Sequence, residues 1–66
     1  MDLTVNGKAR RVDGPISLTA FIESLGINPK IVAVERNGEI VKRATFESVL
    51  LQAGDRLEIV RMVGGG

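Results

Sequence analysis

The chain has 66 residues, 44% of them hydrophobic, and nine Lys and Arg against eight Asp and Glu, for a net charge of +1. That length suits one domain with one small core, which buries only about 60% of the unfolded surface and excludes a deep substrate cleft. With no cysteine and no histidine, disulfides, thiolate zinc sites and the commonest general base are all missing, which argues against ordinary hydrolase or metalloenzyme chemistry.

The first stretch, "MDLTVNGKARR", lacks the apolar run of a signal peptide, and no later stretch approaches the roughly 20 residues that span a bilayer. A cytoplasmic location with no membrane partner is expected. Within it Leu3 and Val5 alternate with Asp2 and Thr4, the period-two pattern of a half-buried strand. Asn6-Gly7 suits a two-residue type I′ turn, because both residues tolerate positive φ, so the chain folds back into a second strand over residues 8–12. Its lysine and arginines mark it as an edge strand.

Asp13, Gly14 and Pro15 break the pattern, and Ser17 stands where a helix N-cap is expected. Leu18, Phe21, Ile22 and Leu25 form one apolar stripe at i, i+3, i+4 and i+7, with Thr19, Glu23 and Ser24 facing out. Gly26 is the expected left-handed C′ residue, and Asn28-Pro29 prevents continuation. "IVAV", residues 31–34, reads as a central strand covered on at least one face. Asn37-Gly38 signals a second hairpin into a short strand over residues 39–41. Residues 43–51 fit neither period; a helical turn near Ala44 with Phe46, Leu50 and Leu51 turned inward is expected.

"AGDR", residues 53–56, reads as a turn and "LEIVRM" as the last strand. Leu57 and Ile59 share one face of it, and Glu58, Val60 and Met62 share the other. If the first pair faces the helix, Val60 and Met62 lie outside, either as scattered surface residues or as a docking patch for a protein. The order β-β-α-β-β-β predicts an α+β, ubiquitin-like β-grasp: a mixed sheet of four to five strands with one helix on one face. The third strand is expected to run parallel to the first, and the last to lie centrally beside the first.

Chemistry inside the domain is sparse. Ser17, Ser24 and Ser48 have no histidine or cysteine to activate them and read as caps or surface hydroxyls. Asp55 reads as a turn residue, and Glu35 and Glu39 flank a hairpin. Near-neutral charge and only two aromatics, Phe21 and Phe46, leave no platform for nucleic acid despite Arg10-Arg11 and Lys42-Arg43.

The end of the sequence is unusual. At average glycine usage a chain ends in three glycines about once in 3,000 cases. A flexible linker remnant accounts for such a tail. A functional reading starts from the α-carboxylate of Gly66, ionised at neutral pH with a pKa of about 3.5 and a poor electrophile, so another enzyme must activate it. Three glycines reach up to about 10 Å. Without side chains they thread a narrow channel, while a body formed by residues 1–63 stays outside and residues 64–66 form a flexible tail.

The "NG" hairpin, the helix "SLTAFIESLG", the segment "NGEIVKRATFESVLLQAGDRLEIVRMVGGG" and the terminal Gly65-Gly66 together resemble the ThiS family of thiamine-biosynthesis sulfur carriers. The most specific elements are the "IVKR" strand end, the turn with Leu51, Gly54 and Asp55, and the diglycine. The resemblance implies that a ThiF-type enzyme uses ATP and magnesium to adenylate Gly66. A sulfur donor, a cysteine desulfurase persulfide, then makes a thiocarboxylate that thiazole synthase consumes. The carrier itself is a monomer when free, holds no cofactor and catalyses nothing. In that scheme Gly66 carries the chemistry, Gly64 and Gly65 give access, and Val60, Met62 and Val63 dock partners. The small subunit of molybdopterin synthase, a ubiquitin-like protein modifier and a non-catalytic interaction domain are the alternatives.

Overall fold

In the computed structural model, which describes residues 1–62, five strands form one sheet. In chain order these are β1 (Asp2–Val5), β2 (Lys8–Arg11), helix α1 (Leu18–Ser24), β3 (Val32–Arg36), β4 (Glu39–Ile40) and β5 (Arg56–Arg61). Two 3-10 turns, Pro29–Ile31 and Arg43–Thr45, interrupt the connections.

Both hairpins form at the Asn-Gly pairs. Asn6 and Gly7 take φ of 50° and 81°, and Asn37 and Gly38 take 53° and 87°, the left-handed pair that matches the twist of the flanking strands. The first hairpin pairs β1 with β2 antiparallel, Thr4 opposite Ala9. In α1 the Ser17 Oγ accepts from the Ala20 N–H at 3.1 Å, and Leu18, Phe21 and Ile22 are buried. The helix ends in a Schellman arrangement: the Gly26 N–H donates to the Glu23 carbonyl and the Ile27 N–H to the Ile22 carbonyl, with Gly26 at φ 77°. Asn28 does more than stop the helix, since its Oδ1 caps the next 3-10 turn through the Lys30 N–H at 2.9 Å.

The sheet order is β2-β1-β5-β3-β4. The last strand is central, as expected, parallel to β1 and antiparallel to β3. The expectation that β3 runs parallel to β1 is therefore wrong: β3 runs against β1. A helical crossover joins parallel strands, but the strand entering this crossover is β2, already reversed by the first hairpin, so β2 is the parallel mate of β3.

The helix covers one face of the sheet. Leu3, Val5, Val32, Val34, Leu57 and Ile59 meet Leu18, Phe21 and Ile22 there, and Phe46 and Leu51 close the edge. Phe46 and Leu51 turn inward as expected, but Leu50 does not and is 56% exposed. Residues 49–51 are extended: the Leu18 N–H donates to the Val49 carbonyl and the Leu51 N–H to the Ile16 carbonyl. Successive side chains in an extended segment point to opposite sides, so Leu51 inside puts Leu50 outside. The strand over "IVAV" begins only at Val32, because Ile31 closes the 3-10 turn.

Candidate functional site

The candidate site is the open face of the sheet and the strand that leads to the glycines. Leu57 and Ile59 bury themselves under the helix, which leaves Val60 on the opposite face at 60% exposure. Met62, one residue beyond the strand, is 52% exposed, and its N–H donates to the Ile31 carbonyl at 2.7 Å. The register puts Ala33 opposite Val60 and Ile40 opposite Glu35. A shallow depression of about 110 Å³ runs between them, lined by Ala33, Val34, Glu35, Ile40, Glu58 and Val60. Ile40 is the most exposed large apolar residue on this face. Sequence reasoning missed it, although counting back through the Asn37-Gly38 turn places it on the same face as Glu35.

Three side chains tie β5 into the sheet. At its start Asp55 is buried, and its carboxylate accepts from the Gln52 N–H at 2.8 Å, the Asn37 Nδ2 at 3.0 Å and the Arg36 Nε at 2.9 Å. Burial alone pushes this carboxyl up, but the Gln52, Asn37 and Arg36 hydrogen bonds and the guanidinium charge outweigh it and hold the carboxyl below the usual range. Asp55 is thus more than a turn residue. Asn37 also accepts from the Arg56 N–H through its Oδ1 at 2.9 Å. Further along, the Asn6 Oδ1 accepts from the Ile59 N–H at 2.7 Å and its Nδ2 donates to the Ile59 carbonyl at 3.1 Å. Neither asparagine is legible beyond its turn, because the turn signal says nothing about what the amide reaches.

The serines behave as structural hydroxyls. Ser17 caps α1, Ser24 Oγ donates to the Phe21 carbonyl at 2.6 Å, and Ser48 Oγ to the Thr45 carbonyl at 3.0 Å. Among the described residues no group of three or more acidic side chains is placed to hold a metal ion, and no helix is long and apolar enough to cross a membrane. Of the expected site residues, Val60 and Met62 lie exposed beside one another in the alternation. Val63, Gly64, Gly65 and Gly66, with the proposed boundary between body and tail, lie outside the described residues.

The chain resembles known proteins over its full length. It is 41% identical over 66 residues to a thiazole synthase of Paramagnetospirillum magneticum, a match that covers all of this chain but 20% of that protein. The chain therefore spans about one fifth of the length of the thiazole synthases it matches. It is 44% identical over 46 residues, 70% of each chain, to the sulfur carrier protein ThiS of Bacillus subtilis. The crystal structure of the thiamine biosynthesis protein ThiS of Geobacter metallireducens matches it with a TM-score of 0.86 at 38% identity, covering 100% of both chains. With the model of the ThiS family matching residues 3–66 as well, and the five-stranded β-grasp sheet in place, the chain belongs to the ThiS family.

Proposed function

We propose that the chain carries sulfur as a thiocarboxylate on Gly66 for the thiazole of thiamine, in the cytoplasm, where ATP and cysteine supply the activation and the sulfur. The observation that carries this reading is the family match running through the glycines to residue 66, directly behind a central strand whose outer side presents Val60 and Met62. A carboxylate resists nucleophiles, so its oxygen first attacks the α-phosphorus of ATP, with pyrophosphate leaving and magnesium held by the ThiF-type partner. A persulfide sulfur from the desulfurase side then displaces AMP, and a thiol reduces the sulfur–sulfur bond to leave the thiocarboxylate. The carrier supplies position alone: Gly64 and Gly65 enter the partner's channel while Val60, Met62, Val63 and the adjoining Ile40 rest on its surface. It acts as a co-substrate.

Thiazole synthase is the proposed acceptor, supported by the relatives in which a segment like this one shares a polypeptide named for that activity. Intact-mass analysis tests the reading. The protein is incubated with ATP, magnesium, the adenylating enzyme and a sulfur donor. Replacement of one oxygen by sulfur at a free Gly66 carboxylate is expected, and deletion of Gly66 abolishes it without unfolding the domain. A polypeptide that continues past Gly66, or no adenylate and no thiocarboxylate, overturns the proposal.

A further inference from the structure

The two sides of β5 are held very differently near its end. On the β3 side the register continues to Val32 opposite Arg61, and the Met62 N–H still finds the Ile31 carbonyl. On the β1 side the ladder covers only Thr4 opposite Arg56 and Val5 opposite Leu57, after which the hairpin turns β1 away. The last main-chain bond there runs from the Asn6 N–H to the Leu57 carbonyl at 2.8 Å. In an extended strand both main-chain groups of one residue point the same way and those of the next point oppositely. Leu57, Ile59 and Arg61 therefore present their N–H and C=O toward β1, which has no main chain left to offer Ile59. The Asn6 amide meets both Ile59 groups, at 2.7 and 3.1 Å, and replaces the missing strand residue.

We infer that Asn6 is a positioning residue for the transfer chemistry: its side chain latches the second half of β5 and thereby fixes the direction in which that strand ends. The inference rests on the sulfur-carrier reading. Activation requires the Gly66 carboxylate to arrive in a partner's site while the body is docked, and a strand end held on one side only swings, which lowers the fraction of docked carriers with the carboxylate in place. The loss then appears in the turnover step, since the docking residues Val60 and Met62 project from the sheet and are untouched by the amide.

A matched pair of variants tests the latch. Asn6→Gly keeps the left-handed turn and removes the amide; Asn37→Gly does the same at the other hairpin, where the lost bonds go to Asp55 and Arg56 at the far end of β5. Both are expected to be folded and similarly destabilised. In Asn6→Gly, hydrogen exchange speeds up by about tenfold or more at the Ile59 amide, the factor that one hydrogen bond of ordinary net strength supplies. With the adenylating enzyme, kcat for acyl-adenylate formation on Asn6→Gly falls by about tenfold while KM stays within about twofold. Asn37→Gly keeps the wild-type kcat, and exchange at Ile59 rises there no more than at the other core amides. Equal losses of kcat in both variants mean a global effect and overturn the inference, as does an unchanged kcat in Asn6→Gly. If the wild-type protein is never adenylated, the sulfur-carrier reading fails instead, and the exchange data still report on the latch alone.

Discussion

The two faces of one sheet divide the work of this protein. The helix-side face carries Leu3, Val5, Val32, Val34, Leu57 and Ile59, all buried; the open face carries Val60 and Ile40, 60% and 80% exposed. Both sets are apolar and both come from one sheet, with β5 contributing to each, so hydrophobicity alone does not tell buried from exposed positions. What separates them is the single amphipathic helix, whose seven residues suffice to roof one side. Among the described residues no second layer covers the open side, so its apolar side chains remain available for contact with another protein.

The comparison is broken most severely on the helix side. Phe21→Ala removes a fully buried ring from α1 and costs about 3–5 kcal/mol. A domain this small has only about 5 kcal/mol in hand, so circular dichroism is expected to show it largely unfolded at 37 °C. A retained cooperative melt within a few degrees of wild type would contradict the core described here. A middle-sized effect is expected at the Asp55 cluster. Asp55→Asn sets an NH₂ donor among three donors and costs about 1–3 kcal/mol at neutral pH. Because the folded carboxyl lies below its ordinary value, its contribution is complete above the unfolded value of about 3.9 and disappears as pH falls through the folded one. Urea unfolding at pH 7 and at successively lower pH should show the gap between wild type and variant closing; a pH-independent gap would rule the carboxylate out as its cause.

The smallest effect on stability is expected on the open face. Val60→Lys should change it by less than about 0.5 kcal/mol while weakening partner binding by about tenfold or more. Titration calorimetry against thiazole synthase and the adenylating enzyme decides. If neither affinity moves, this face is not where they dock.

Local signals in the sequence were enough for most of the elements, because each rests on neighbours in the chain. Asn-Gly needs nothing beyond its own backbone to make a turn, Ser17 caps the helix three residues away, and the alternation of β5 sorts Leu57 and Ile59 from Val60 with no knowledge of the rest. The failures involve distant partners. Leu50 turns outward because Ser17 bridges to it from another segment, β3 runs against β1 because the crossover leaves from β2, and Asp55 is buried because Arg36 and Asn37 come to meet it. On the site, Val60 and Met62 were legible as outward positions, whereas Ile40 and the Asn6 amide belong to the surface and the end of β5 only once the strands are in register.

The central place of β5 also governs how the protein comes to be. It is the last strand in chain order and the one that joins the two halves of the sheet, so β1 and β3 share no neighbour until residues 56–61 have been made. Before then the two hairpins can close locally, but each leaves an open edge, and the pairing that completes the sheet spans most of the chain, the kind of long-range step that slows folding. A product cut off before β5 therefore stays open to proteases. Any molecule that folds therefore has β5, with Val60 on the open face, already in place between β1 and β3.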